Sequence, residues 1–324
     1  MIDLNIINNS VALIDRSNHG LLCVTGDDRL RFLHNQSTNN IQSLKVGEGC
    51  DTVFVNSTGR NIDLVSAYIK ENEVLLLVSP GQNKKLYDWL DRYIFPFDKV
   101  VIKDVTTQYK IFSLIGKKSL DLLSEWVDNN FLNAKEFSHK NITIDDIELT
   151  ITIGCNLKLT GFNLIIPEKN AEKIWQKLTA KNPILMEIKD YDTLRILQGR
   201  PTPNQELTEE YNPLESGLWD AISFNKGCYI GQETIARLNT YKGVKQKLWG
   251  IKLDRSINLE KDNIIMIEGE KVGKITSYLE TESENFALGY IRTKAGDIGL
   301  KVNVGEATGE VVKVPFIHHE YYQP

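Results

Sequence analysis

Lys226-Gly227-Cys228-Tyr229-Ile230-Gly231-Gln232-Glu233, continued by Thr234-Ile235-Ala236-Arg237, sets a thiol between two glycines and several ionisable groups. The glycines allow tight or positive-φ backbone. The stretch from Gln232 to Leu238 then reads as a short helix with its acid, Glu233, early and its base, Arg237, late, as the helix dipole prefers. Cys228 is therefore expected just ahead of a helix N-terminus, where the dipole, Lys226 and Arg237 would favour a thiolate. The competing reading makes Gly227 and Gly231 a turn and Cys228 a small buried apolar residue, as free cysteines often are.

Upstream, strands and helices alternate without the regular rhythm of a doubly wound sheet. Leu21–Val24 reads as a strand, and Gly26-Asp27-Asp28 opens a helix with Leu30, Phe32, Leu33 and Ile41 as apolar positions. Strands over 51–54 and 62–69 are joined by Asn56-Ser57-Thr58-Gly59-Arg60, a stretch with turn chemistry. A strand over 74–78 and a helix over 81–93 complete the round. Strands over 100–105 and 111–115, a helix over 119–127, strands over 142–153 and 164–166 and a helix over 168–178 resemble a second round. Sheets with helices on one face, in the ferredoxin-like manner, fit this order best. The expected class is α+β.

Past Gln246 the texture changes to short apolar runs over 248–253, 263–267, 270–275, 287–291 and 310–314, divided by Gly269, Gly273, Gly289, Gly296 and Gly305. That spacing predicts a small antiparallel β-barrel. The expected division is 1–240 for the interleaved region and 246–324 for the barrel. His318 and His319 near the end would point to opposite faces of a strand and so could not share a metal. The tail from Phe316 to Pro324 reads as a docking or frayed terminus.

The net charge is −5, which removes the bulk electrostatic drive toward nucleic acid. Lys242-Gly243-Val244-Lys245-Gln246-Lys247 is the best remaining candidate for a nucleic-acid contact, against its reading as a solvated linker. Cys23, Cys50, Cys155 and Cys228 lie too far apart for zinc or iron–sulfur cluster spacing, so no stable metal is expected. They also make no disulfide scaffold, which suits a reducing compartment. Met1–Asn5 lacks signal-peptide character, and no apolar run reaches the ~18 residues that would suggest a membrane span, so the expectation is a cytoplasmic protein without a membrane partner.

The 226–237 string resembles K-G-C-[FYW]-x-G-Q-E-x-x-x-R, the signature of the YgfZ-type folate-binding proteins of iron–sulfur cluster assembly, relatives of the glycine-cleavage T-protein (aminomethyltransferase). Val24 to Asn39 resembles the T-G-x-D-x-x-x-F-L-x-x-x-x-T-N opening shared by both groups. Thr193 to Pro201 resembles L-R-[IL]-E-x-G-x-P, and Asn212 to Leu218 resembles P-x-E-[AS]-G-L. The resemblance, spanning 24–237, implies two interleaved ferredoxin-like lobes and a barrel in a three-lobed arrangement around a tetrahydrofolate pocket. It implies Arg195 as a folate contact and places Asn56 and Asp63 in the counterpart of the T-protein string N-x-x-G-G-x-x-D-D, whose aspartate lies beside the folate. Cys228 becomes the reactive thiol, surrounded by Lys226, Gly227, Tyr229, Gly231, Gln232, Glu233 and Arg237.

The chain departs from the T-protein pattern at four places. The second glycine of the Asn56 string is Arg60 and its final acid is Leu64; Asn163 ends a Thr160-Gly161-Phe162-Asn163 stretch that lacks the pterin-facing glutamate; and Leu197 replaces the glutamate of L-R-[IL]-E. Transfer of a one-carbon unit needs a positioned acid or base. The leading expectation is therefore a folate-binding accessory factor for assembly or repair of iron–sulfur clusters. It would serve iron–sulfur client proteins, tRNA-modifying enzymes among them, rather than act as an enzyme of the usual kind. A folate-dependent aminomethyl or one-carbon transferase or demethylase is the second reading, and a module holding tRNA or a tRNA-modifying enzyme is the third.

Overall fold

The computed structural model describes residue 7, residues 9–282 and residues 284–323; Met1–Asn5 and Pro324 lie outside them. It divides into two compact units, one of residues 1–52 and 65–191, the other of residues 53–64 and 192–324. This division does not follow the change of texture near 240–246.

In the first unit the two rounds are present. The first runs β2 (Gly20–Thr25), α1 (Arg29–Gln36), β3 (Gly49–Val55), β4 (Asn61–Ile69), β5 (Glu73–Val78) and α2 (Asn83–Asp91). The second runs β7 (Tyr109–Ile115), α3 (Ser119–Leu123), α4 (Asn129–Leu132), β8 (His139–Ile144), β9 (Ile147–Ile153), β10 (Gly161–Pro167) and α5 (Glu168–Thr179). Strand order is β3-β4-β5-β2 in one sheet and β8-β9-β10-β7 in the other, the same path walked twice. β6 (Val101–Asp104) extends the first sheet beside β2. β1 (Ala12–Asp15) and β11 (Ile184–Met186) extend the second beside β7. Gly26 and Gly116, which follow the equivalent strands β2 and β7, share a positive φ of 102° and 115°. One face of the second sheet buries Phe112, Leu114 and Leu164 under Leu123, Ile174 and Leu178 of its helices. The opposite face brings Ile111 and Ile165 against Leu21, Tyr68 and Leu75 of the first sheet. Helices therefore cover one face, as the pattern predicts.

Local differences have physical reasons. The run over 142–153 is not one strand but the β8–β9 hairpin, because Asp145 and Asp146 take positive φ of 46° and 62°, as a two-residue type I′ turn requires. The helix starting at Ser119 stops at Leu123, and the Ser124 hydroxyl turns back to the carbonyl of Asp121 at 2.7 Å. Ile41 sits past α1, in a short 3-10 turn over Ile41–Ser43.

The second unit contains a closed barrel, in the order β12 (Gln246–Leu253), β15 (Asn285–Arg292), β14 (Glu270–Glu280), β13 (Ile264–Ile267), β16 (Lys301–Val304), β17 (Ala307–Val312). All its strand pairs are antiparallel. The pattern missed β16, whose Lys301-Val302-Asn303-Val304 alternates outward and inward over only four residues. Trp249, Ile251, Ile265, Val302 and Val311 fill the interior. Two further helices, α6 (Ile188–Gln198) and α7 (Gln232–Thr240), precede the barrel. No helix among the described residues is long and apolar enough to cross a membrane.

Candidate functional site

Every predicted site residue falls in the second unit, which includes the tip of the β3–β4 hairpin. The turn at that tip is built by Asn56. Its Oδ1 accepts bonds from the Thr58 amide (3.0 Å), the Thr58 hydroxyl (2.7 Å) and the Arg60 amide (3.0 Å), and its Nδ2 donates to Glu209 (3.3 Å). The side chain expected to touch folate is thus the one that shapes the turn.

Helix α7 enters against this turn. Gly231 caps it with φ +79°, and a Cβ there would stand 2.6 Å from the Asn56 carbonyl oxygen. A Cβ on Gly59, φ +74°, would stand 3.2 Å from the Gly231 carbonyl oxygen. The two glycines let two backbones touch, which joins the two strings that sequence reading had singled out separately. Glu233 and Arg237 stand exposed in the first and last turns of α7.

Just before the helix, burial alternates sharply. Tyr229 is buried, and burial pushes its hydroxyl well above the ordinary range. The Lys226 ammonium is buried too and lies 4.8 Å from the centre of the Tyr229 ring, so its charge is held at an aromatic face. Gly227 and Cys228 between them are exposed. The buried-apolar reading of Cys228 is therefore overturned, while it holds for two others. Burial and the neighbouring Glu73 push the Cys23 thiol up to about 12, and burial pushes Cys155 up to about 11.

Asp63 is fully buried on β4, with Oδ1 accepting from the Leu64 amide at 2.9 Å. Asn61 shares its strand face and donates to Ser216 Oγ (2.9 Å), which is bonded to Tyr290 Oη (2.7 Å). Tyr290 in turn donates to the carbonyl of Glu206 (2.8 Å).

Arg195, expected as a folate contact or otherwise as a surface arginine, is buried, and all three guanidinium nitrogens hold protein acceptors. Nε meets Asp192 (2.6 Å), Nη1 meets the fully buried Glu206 (2.9 Å), and Nη2 meets Gln205 and Ser277 Oγ (2.9 Å). It is the hub of a buried ion-pair network that ties α6 to β14. Nothing in the sequence marked Glu206 as its partner.

The departures from the T-protein pattern are absorbed by packing. Leu64 is buried in an apolar cluster with Val53, Val55, Ile196 and Leu214, and the partly buried Leu197 packs against it, so a carboxylate at 64 would stand among apolar side chains. Arg60 reaches the Glu210 carbonyl (2.8 Å) and lies 3.6 Å from the Glu215 carboxylate. Glu215 closes a capping box with Asn212, whose Oδ1 accepts from the Leu214 and Glu215 amides while its own amide donates to Glu215. Burial raises the Glu215 carboxyl. The N-x-x-E spacing of that box was visible in the sequence. In the first unit, Asn163 is woven into an internal polar cluster, accepting from Ser113 (2.6 Å) and donating to the Gly154 carbonyl (3.0 Å).

The lysine stretch presents little continuous positive surface. Lys247 pairs with Asp297 at 3.3 Å and lies over Trp249, which leaves Lys242 and Lys245 as its exposed members. His318 faces Asp220 (3.8 Å) and His319 donates from Nε2 to the Leu248 carbonyl (2.8 Å), so the two rings diverge. Because a carbonyl only accepts, that nitrogen carries the proton.

The GCVT N-terminal domain matches residues 3–226, ending two residues short of Cys228. A protein of Arabidopsis thaliana described as a putative chloroplastic transferase is 43% identical over 321 residues, covering 98% of this chain and 74% of its own length. An aminomethyltransferase of Caldanaerobacter subterraneus is 28% identical over 312 residues, covering 92% of this chain and 81% of its own. The crystal structure of glycine cleavage system aminomethyltransferase T from Bartonella henselae matches with a TM-score of 0.84 at 19% identity, over 98% of this chain and 89% of that one. The repeated sheet path and closed barrel are thus those of the T-protein fold, and with the domain match over residues 3–226 the chain belongs to the GCVT family, the aminomethyltransferase superfamily.

Proposed function

We propose that this protein is a tetrahydrofolate-binding accessory factor for assembly or repair of iron–sulfur clusters, of the YgfZ type, working in a reducing compartment such as the cytoplasm. The observation that carries the reading is the pairing of an exposed Cys228 with the loss of family acids to packing. Leu64 lies in an apolar cluster with Leu197 packed against it, and Asn163 is bonded inside a sheet. A site that keeps one family acid, Asp63, and has lost the others is less well equipped for one-carbon transfer. An exposed thiol at the entry of a helix is suited to soft-metal or sulfur chemistry. In this reading a reduced folate is assigned to Asp63, a fully buried carboxyl in the counterpart of the family's turn-and-strand motif, while Arg195 is held by protein acceptors.

Asp63 also favours a second reading, a folate-dependent aminomethyl or one-carbon transferase. Calorimetric titration with tetrahydrofolate, run on the wild type, Asp63→Asn and Cys228→Ser, separates the two when paired with an assay for transfer from an aminomethyl donor and with iron–sulfur enzyme activity in cells lacking the wild-type protein. The accessory reading expects folate binding that survives Cys228→Ser, no transfer activity, and iron–sulfur enzyme activity that Cys228→Ser fails to restore. Transfer activity that survives Cys228→Ser and vanishes in Asp63→Asn would establish the transferase instead.

A further inference from the structure

The segment after the barrel is seated against both flanks of the thiol loop. Phe316 donates its amide to the Gln198 carbonyl (2.8 Å), and His318 donates to the Gly217 carbonyl (3.1 Å) in a parallel bridge with Leu218. Beyond this, Tyr321 packs edge-on to Trp219 with centroids 5.2 Å apart, and its hydroxyl accepts from the Val244 amide (3.2 Å). Tyr322 stacks on Phe224 at 5.1 Å and 12°, and its hydroxyl bonds the side-chain amide of Asn225. The backbone of Tyr322 is clasped by Asn239, whose Oδ1 accepts its amide (2.9 Å) and whose Nδ2 donates to its carbonyl (3.4 Å).

Asn225 lies three residues before Cys228, and Asn239 lies near the C-terminal end of α7. We propose that the tail is a positioning strap for the thiol: Tyr322 bridges the segment entering the Cys228 loop and the helix leaving it, and so fixes the loop that presents an otherwise uncovered sulfur. The loop is held by the buried Lys226 and Tyr229 and by the contact of Gly231 with the Asn56 turn, and the tail adds a hold on the segments that flank it. Gly227 and Cys228 are exposed, and the Gly231 cap supplies no side-chain hydrogen bond to α7. Further anchoring comes from the aromatic stacking and the amide clasp supplied by a segment about a hundred residues away in sequence. Tyr322 and Asn239 are positioning residues in this account. The inference rests on the reading of Cys228 as the working thiol.

The test uses the full chain with Tyr322→Ala, Tyr322→Phe and Asn239→Ala, read by amide hydrogen exchange and by reaction of Cys228 with an aromatic disulfide, Cys50 serving as internal reference. Expected is roughly tenfold faster exchange confined to residues 219–241 in Tyr322→Ala and Asn239→Ala. The Cys228 to Cys50 rate ratio should change with it, and Tyr322→Phe, which keeps the stack and the clasp, should restore both across α7. Unchanged exchange over 219–241 would overturn the proposal, and so would equal acceleration throughout the barrel, which would make the tail a general stabilising element. Failure of the thiol reading is separable: Cys228 in the wild type would then react no faster than Cys50, whatever the exchange pattern.

Discussion

Cys228 differs from the other cysteines more through their surroundings than through its own. Cys23 and Cys155 are buried with thiols pushed up to about 12 and about 11, whereas Cys228 stands exposed. Iodoacetamide near neutral pH should therefore label Cys228 first, with Cys23 and Cys155 labelled only on unfolding, as peptide mass mapping over time would show. Equal labelling of all four would mean that the exposure seen here does not govern reactivity. Arg195 makes the opposite point, a charged residue whose work is internal. Arg195→Ala strands the buried Glu206 carboxylate and should cost about 3–5 kcal/mol in urea unfolding, while Arg195→Met combined with Glu206→Gln should recover part of it. His319 adds a pH dependence. Burial lowers its imidazole from 6.5 to about 4, so the unfolded chain takes up the proton first as pH falls. The stability it contributes is full above pH 6.5 and is lost as pH falls through about 4, and His319→Phe should flatten that part of the profile of Tm against pH.

Among elements, the contact of the 56–60 turn with the start of α7 is the most exacting. Gly231→Ala would force a Cβ to 2.6 Å from a backbone oxygen at a φ of +79°, and should cost about 1–3 kcal/mol. The same variant should shift the Cys228 amide resonance, whereas Gly81→Ala, where a Cβ would meet nothing within 4 Å, should leave that resonance in place. Much of this architecture was legible. Alternation and turn chemistry located β2, β4, β5 and β10, and they located the 56–60 turn, because each is long or bounded by strong punctuation. The β8–β9 hairpin was not, since Asp145-Asp146 lacks the glycine that usually signals a type I′ turn. The thiol loop was singled out by a mix of residues that amphipathic packing would not generate, and Asp63 by its place in the counterpart of the T-protein string. The Arg195–Glu206 pair and the tail's clasp on Asn239 were invisible, because long-range pairing leaves no local periodicity to read.

For the molecule as a whole, the repeated sheet path explains why a second round could be anticipated from the first: β3-β4-β5-β2 and β8-β9-β10-β7 obey one plan with different residues. The division into compact units cuts across that plan at the β3–β4 hairpin, whose tip, residues 53–64, is counted with residues 192–324. A fragment beginning at Asp192 would contain the thiol, yet it would lack Asp63 and would leave Ile196 and Leu214 without Val53, Val55 and Leu64. Such a piece is not a transplantable cassette. A transferred piece that keeps the carboxyl and the sulfur in their shared apolar surroundings has to carry residues 53–324 as one stretch.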